Sequence, residues 1–271
     1  MWPRQFLQIG RVRSFGVKGL PGAPKSCLKV NHHICRRGPN LPISINSLRS
    51  RRAFTTTSAV MGYRNGRRTT EIEDIQYEME QVNQTKWGYV IYRCTYSDDE
   101  AWNSLIEFLK TDTREWLKEN NALDLAEKLD WKIVSDPQVL DRASTDQVRR
   151  LFAEWVGSEE ARAEQTGAIY NAITTRQHFC VHVDAAALDS FVNRKIRNQK
   201  SGTWDYGWVN VVDGFWEVDP DCPPDEDDRL SNAGHMRVAV DSLLPSSYAY
   251  FDGSGQGAWY AVYEPPPFVW A

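Results

Sequence analysis

The pattern of apolar and polar positions gives its clearest strand-to-helix signal over residues 87–102, which read WGYVIYRCTYSDDEAW. Residues on both alternating faces of the first ten positions are mostly apolar, β-branched or aromatic, which is typical of a strand buried on both sides. The next four residues have the spacing of a capping box, in which Ser97 and Glu100 satisfy the first free amides of a helix. A helical stripe follows at Trp102, Leu105, Ile106 and Leu109. The stretch therefore predicts a central strand that leads directly into a capped helix.

Later segments repeat this organisation. A second strand is predicted over residues 178–184, with a helix over 185–192 directly after it and an exposed basic connector over 194–200. Ser144 predicts the N-cap of another helix. Further strands are predicted over residues 208–212, 235–240 and 259–263. The order of elements favours a single α+β domain in which a mostly antiparallel sheet carries helices on one face, with a ferredoxin-like plait as the closest named arrangement.

Charge divides the chain at Met61. Residues 1–60 contain 11 of the 32 Lys and Arg residues and none of the 36 Asp and Glu residues. This Arg- and Ser-rich, acid-free composition is typical of a mitochondrial transit peptide, which a membrane potential negative on the inside pulls across the membrane. The remaining chain is acidic, which disfavours nucleic-acid binding, and it contains no apolar run long enough to span a bilayer. We therefore expect a soluble protein of the mitochondrial matrix.

The end of the basic segment is more specific. Arg52-Ala53-Phe54-Thr55 resembles the two-step mitochondrial processing motif, which would place the first cut before Phe54 and the second after Met61. Alternatively, translation starts at Met61 and the protein is cytoplasmic, in which case the preceding residues are a disordered basic extension. Both alternatives give the same organisation: a targeting or disordered segment over 1–61, a flexible lead-in with room for a short helix over 62–85, and one domain over 86–271.

A family resemblance rests on the same stretch that organises the fold. Its Trp-Gly-aromatic-Val strand with Tyr-Arg, followed by Asp-Asp and Trp, resembles an uncharacterised family of fungal proteins. The similarity is strongest over 87–102 and extends to residues 178–192 and 235–240. It implies a compact domain of fungal type, and it implies no activity, cofactor or catalytic residue.

Three potential metal ligands alternate at His178, Cys180 and His182, so a strand would present all of them on one face. Imidazole and thiolate groups suit zinc, and three ligands with an open position are typical of a catalytic site. Ligands adjacent on one strand do not readily converge on a tetrahedral ion, however. The favoured interpretation is a half-buried strand with a small buried Cys and two surface His, so we expect neither metal nor cofactor.

Arg93 is a charged residue in an otherwise apolar strand, and a buried charge requires a partner. It binds an anionic ligand or, as we favour, forms a structural ion pair with a carboxylate such as Asp184 or Asp241. If the protein is an enzyme, its catalytic candidates are Arg93, His178 and His182.

Function is not specified by any catalytic motif. The chain has no P-loop, no nucleophile elbow, no His-Glu-x-x-His and no paired Cys-x-x-Cys. Its aromatic content favours a non-catalytic domain that binds a protein partner, with Trp204, Tyr206 and Trp208 as the candidate surface. The alternatives are an enzyme of unrecognised class with a pocket near Arg93 and the face that carries His178, Cys180 and His182, and a fungal gene-cluster accessory protein whose role depends on genomic context.

Overall fold

Strand β3 (Val90–Arg93) lies inside a six-stranded sheet and is buried along its whole length. It pairs in parallel with β4 (Lys132–Val134) on one side and with β5 (Phe179–Val183) on the other, which confirms the predicted central strand. The computed structural model describes residues 63–64, 67–166, 174–201, 207–218, 230, 232–251 and 256–271. All of these residues belong to one compact unit, Ala53–Ala271.

The sheet continues from β5 through β6 (Trp208–Asp213) and β7 (His235–Ala239) to β8 (Val269–Trp270). The β5–β6 and β6–β7 pairs are antiparallel, whereas β7 and β8 are parallel. A separate two-stranded ribbon pairs β1 (Tyr63–Arg64) with β2 (Arg67–Arg68). The prediction of an α+β domain is confirmed, but the large sheet is mixed rather than mostly antiparallel.

Helices connect and cover these strands. Their bounds are α1 Glu71–Gln81, α2 Asp99–Glu119, α3 Leu123–Lys128, α4 Pro137–Leu140, α5 Thr145–Val156, α6 Glu159–Ala163, α7 Thr175–His178, α8 Ala185–Ser201, α9 Tyr248–Phe251 and α10 Gln256–Val262. Residues 243–247 form an irregular helical turn before α9.

The two faces of the sheet carry separate hydrophobic cores. Alternate residues of β3 divide between them, because Ile91 lies in the first core and Tyr92 in the second. Helices α1, α2, α8 and α9 contribute to the first core, whereas α5 covers the second with Val148, Phe152 and Trp155. The prediction of helices on one face is therefore wrong. The ferredoxin-like arrangement is also wrong: in that plait another strand separates the two strands of each βαβ unit, whereas β3 and β4 are direct neighbours.

Four further predictions about local structure are corrected. The segment 62–85, expected to be a flexible lead-in with room for a short helix, does contain a helix, α1, but α1 belongs to the domain because it buries Ile75 and Met79 in the first core. The cap of α2 is Asp98, whose side chain accepts a hydrogen bond from the Ala101 amide, rather than the Ser97–Glu100 box. Residues 194–200 continue helix α8 instead of forming a connector, and 259–263, expected as a strand, fall mainly in α10.

Candidate functional site

The carboxyl ends of β3 and β5 lie side by side because the two strands are parallel neighbours. From β3 the chain passes through α2 and α3 to β4, which is the neighbour of β3 on one edge. Strand β5 is its neighbour on the opposite edge. In open sheets with parallel strands, ligands bind in the crevice at such a reversal of strand order. A pocket of about 680 Å³ lies here, lined by residues 94–97, 141–145 and 184–186 together with His182. We refer to it as the carboxyl-edge pocket.

Three helices begin around the carboxyl-edge pocket. Asp98 caps α2, Ser144 caps α5, and the Asp184 carboxylate accepts a hydrogen bond from the Ala187 amide in the first turn of α8. The first amides of a helix carry a partial positive charge, which the two capping carboxylates partly offset here. The rim is therefore rich in hydrogen-bond donors without being strongly cationic.

His182 forms the floor of the carboxyl-edge pocket and is almost completely buried. Its Nε2 lies 2.9 Å from the Ala143 carbonyl oxygen, and its Nδ1 lies 3.1 Å from the Asn210 side-chain nitrogen. A carbonyl oxygen only accepts and an amide nitrogen only donates, so the ring is neutral with its proton on Nε2. Burial lowers the pKa of His182, which agrees with this state. The imidazole thus connects β5 and β6 to the loop that forms one pocket wall.

That wall, residues 141–144, is held in an uncommon conformation. Arg142 has a φ of 59°, a left-handed value that few residues other than glycine adopt. Its amide donates to the Cys94 carbonyl over 3.1 Å, which ties the loop to the end of β3. Its guanidinium group is 92% exposed at the rim and lies 4.0 Å from the Asp141 carboxylate. Strained residues of this kind are concentrated at ligand-binding sites.

Arg93, the charged residue of the central strand, lies next to the carboxyl-edge pocket. Its guanidinium forms an ion pair with Asp99 and donates over 2.9 Å to the Thr95 carbonyl. It also lies over the rings of Tyr96 and Trp102, 4.6 and 5.1 Å from their centroids. The predicted structural ion pair is confirmed, but the predicted partners Asp184 and Asp241 are wrong. Asp99 takes this role because the short turn from β3 into α2 brings it back over the strand end.

The three potential metal ligands His178, Cys180 and His182 do not share one site. The favoured interpretation, a half-buried strand with two surface His, is wrong because β5 is buried along its whole length and His182 is almost completely buried. His178 ends the short helix α7, so the strand alternation starts only at Phe179. Its Nε2 lies 3.1 Å from Asp213 Oδ1, without the alignment of a hydrogen bond. Cys180 is fully buried in the second core, where burial raises the pKa of its thiol. Among the residues that the structure describes, no group of three or more His, Cys, Asp and Glu side chains is placed to hold a metal ion.

The candidate aromatic surface falls largely outside the described residues, since Trp204 and Tyr206 are not among them. Trp208 is half-buried at the start of β6 and packs against the first core. The Arg237 guanidinium covers its ring, 3.9 Å from the centroid. Trp208 therefore has a structural role at this position.

The buried cation that sequence reasoning missed is Arg176. Its guanidinium is completely buried and donates to both oxygens of Glu164, over 2.6 and 3.0 Å. It also reaches Asp130 Oδ2 at 2.6 Å and the backbone carbonyls of Asp130 and Gly88 at 2.9 Å. Gly88 has a φ of 103° and would place a Cβ 2.9 Å from the Asp130 carbonyl oxygen. The partners of Arg176 are 12 to 88 residues away in the chain, so no local spacing indicates them.

No described helix is both long enough and apolar enough to cross a membrane. No model of a protein family matches the chain, and neither a curated protein nor a solved structure matches it. The resemblance to an uncharacterised fungal family stays a prediction.

Proposed function

We propose that this protein is a binding domain that holds a small polar molecule in the carboxyl-edge pocket. The observation that carries the proposal is the pocket's position at the reversal of strand order, above a floor whose side chains are fixed by hydrogen bonds. A pocket of about 680 Å³ is within the size range of small-molecule sites.

The lining supports a ligand that is neutral or positively charged. Hydroxyl groups come from five residues: Thr95, Tyr96, Ser97, Ser144 and Thr145. Two carboxylates, Asp141 and Asp184, face one cation, Arg142, whose guanidinium extends into solvent. Burial, together with these two carboxylates, raises the pKa of Cys94 in the pocket wall to about 12. Such a lining favours hydroxyl- or amino-bearing compounds over polyanions such as nucleic acids.

Binding without catalysis is favoured by the state of the reactive groups in the pocket. Both ring nitrogens of His182 are engaged by the protein, so neither is free to take a proton from a ligand. The Cys94 thiol stays protonated at neutral pH, and a protonated thiol is a poor nucleophile. Among the described lining residues, these two groups would be the first candidates for covalent or acid–base chemistry.

A ligand screen with a pocket-filling variant tests the proposal. The full-length protein is screened by ligand-detected NMR against small polyols, amines, amino acids and carboxylic acids, and the hits are titrated against Ala186→Trp. Ala186 is an exposed pocket residue in the first turn of α8, so a large side chain there fills the pocket without disturbing the core. We expect hits among the hydroxyl and amino compounds whose affinity falls at least about tenfold in the variant.

The matched control is Asp189→Trp, which adds the same side chain at an exposed position of α8 outside the pocket. This control retains the wild-type affinity if the pocket is the site. The proposal is wrong if no compound binds, or if Ala186→Trp and Asp189→Trp weaken binding equally. Turnover of a bound compound would instead identify an enzyme.

We also propose that residues 1–61 direct the protein to the mitochondrial matrix. The support is the acid-free, Arg-rich composition of this segment and the processing pattern around Arg52 and Phe54. A reporter fused to residues 1–61 should enter mitochondria and be shortened on import. A reporter that stays in the cytosol overturns the proposal and favours translation from Met61.

A further inference from the structure

A second concave surface lies between α2 and α8, on the first-core side of the sheet. This α2/α8 groove has a volume of about 1060 Å³. Its α2 wall is formed by Glu100, Ser104, Glu107 and Thr111, which follow one another at spacings of three and four residues and so line one face of the helix. The stripe from Glu100 to Thr111 is about 16 Å long at 1.5 Å per residue.

The floor of the α2/α8 groove is apolar. The rings of Phe108 and Phe191 lie 5.6 Å apart and form its base, and Val192 stands beside them with 48% of its surface exposed. A half-exposed β-branched side chain beside two aromatic rings offers apolar area that a partner removes from water on binding.

The rim of the groove is acidic. Asp98, Glu100 and Glu107 contribute three carboxylates to the lining, against the single guanidinium of Arg194. Arg194 is already engaged, because it donates over 2.6 Å to the Phe191 carbonyl and its guanidinium lies over the rings of Phe191 and Phe108, 3.7 and 4.9 Å from their centroids. The described lining therefore presents a net negative charge along the α2 wall and an apolar strip beside it.

We infer that the α2/α8 groove binds a basic amphipathic helix of a partner protein. An amphipathic helix places apolar residues at positions i, i+3, i+4 and i+7, which fits the exposed side chain of Val192 and the partly buried ring of Phe108 beside it. Lys or Arg residues on the flank of such a helix then face Glu100 and Glu107. The length of the α2 stripe matches about three turns of the incoming helix. The same negative rim repels nucleic acids and anionic membrane surfaces. The inference is independent of the carboxyl-edge pocket and stands if no small molecule binds there.

Fluorescence anisotropy with a defined peptide tests the inference. The probe is a labelled amphipathic peptide of about 14 residues made of Leu and Lys, compared with a scrambled peptide of the same composition and with a Leu/Glu version. Full-length wild-type protein should bind only the amphipathic Leu/Lys peptide. Val192→Asp and the charge reversal Glu107→Lys should each weaken that binding at least about tenfold.

Matched controls separate the groove from general attraction to an acidic protein. Leu123→Asp adds a charge at an apolar side chain that is 64% exposed on α3, and Glu119→Lys reverses a charge on α2 outside the groove. Both should bind as the wild type does, and far-UV circular dichroism should show all four variants folded, since every position is exposed. The inference is overturned if the scrambled peptide binds equally, or if Glu119→Lys weakens binding as much as Glu107→Lys. A concentration-dependent dimer that Val192→Asp dissociates also overturns it and assigns the groove to a second copy of this chain.

Discussion

The two ends of the parallel strands β3 and β5 differ in how their polar groups are used. At the amino ends, the buried guanidinium of Arg176 gives every donor direction to a carboxylate or carbonyl of Glu164, Asp130 or Gly88. At the carboxyl ends, the polar side chains and the first turns of α5 and α8 face a cavity instead. The amino ends of β3 and β5 are thus closed by an ion cluster in which every Arg176 donor has a partner. Their carboxyl ends are open to a ligand.

This difference indicates where substitutions should affect stability and where they should affect binding. A guanidinium with satisfied hydrogen bonds on all sides has no capacity left for a ligand, so Arg176 is structural despite being the most buried cation among the described residues. At the open end, hydroxyl side chains line a cavity and the Arg142 guanidinium extends into solvent. Burial of a charge alone is therefore a poor indicator of a functional site.

The largest expected effect tests the closed end. Arg176→Met removes the partner of the buried Glu164 carboxylate and should lower the free energy of unfolding by about 3–5 kcal/mol. Urea unfolding of the full-length wild type and variant measures this loss of free energy. Arg150→Met, at an exposed position of α5, is the control and should change stability by less than about 0.5 kcal/mol. A loss below about 1 kcal/mol for Arg176→Met would remove the distinction between the two ends.

A smaller effect is expected for the arginine at the open end. Arg93→Met loses an ion pair to Asp99, whose side chain is 77% exposed, and an exposed pair contributes less than about 1 kcal/mol. It also loses contacts with the Tyr96 and Trp102 rings, each contributing about 0.5–1 kcal/mol. We expect a total loss of about 1–2 kcal/mol by urea unfolding, and less for Asp99→Asn. If Arg93→Met costs as much as Arg176→Met, the open end is as structural as the closed end.

The smallest effect is a pH dependence of the free energy of unfolding that comes from His182 at the open end. Burial lowers the pKa of His182 below its unfolded value of 6.5, so the folded state prefers the neutral ring. The resulting stability is fully present above pH 6.5 and is lost as the pH falls from 6.5 towards the folded pKa. His182→Gln does not titrate, so wild type should lose about 1 kcal/mol relative to this variant between pH 7.5 and pH 5.5.

Urea unfolding of wild type and His182→Gln at both pH values measures this difference. Burial, and to a smaller extent Arg149 and His182, lower the pKa of His235, so the part of its contribution that burial causes is common to both proteins. Parallel profiles for the two proteins would show that His182 is not held neutral by its contacts with Ala143 and Asn210.

Sequence patterns correctly predicted those parts of the fold that depend on interactions between residues close together in the chain. The stripe of α2 and the N-cap at Ser144 are confirmed, because side-chain periodicity and capping are set by residues three or four positions apart. The predicted cap of α2 was wrong by one residue because Ser and Asp are both favoured cap residues, and Asp98 is the one whose side chain accepts from the Ala101 amide. Strands β4 and β8 were missed because they are short edge strands with little alternation.

The candidate site was less predictable because it depends on which strands become neighbours. Arg93 was identified as a charge in an apolar strand and His182 as a potential metal ligand, but their places at the carboxyl edge depend on the parallel pairing of β3 and β5. The wall at residues 141–144 and its contact with His182 join segments 39 residues apart, so no local pattern indicates them. Arg176 was missed for the same reason.

The second core carries a chemical consequence of its own. Cys180 is a free thiol with no exposed surface, under the single long helix α5 that covers that face. Burial raises the pKa of the thiol, so in the closed state it reacts slowly with alkylating reagents. In a variant with the other four cysteines replaced by serine, the labelling rate of Cys180 would measure how often helix α5 separates from the sheet. Residue-specific labelling kinetics would then read local opening of one layer of the domain separately from global unfolding.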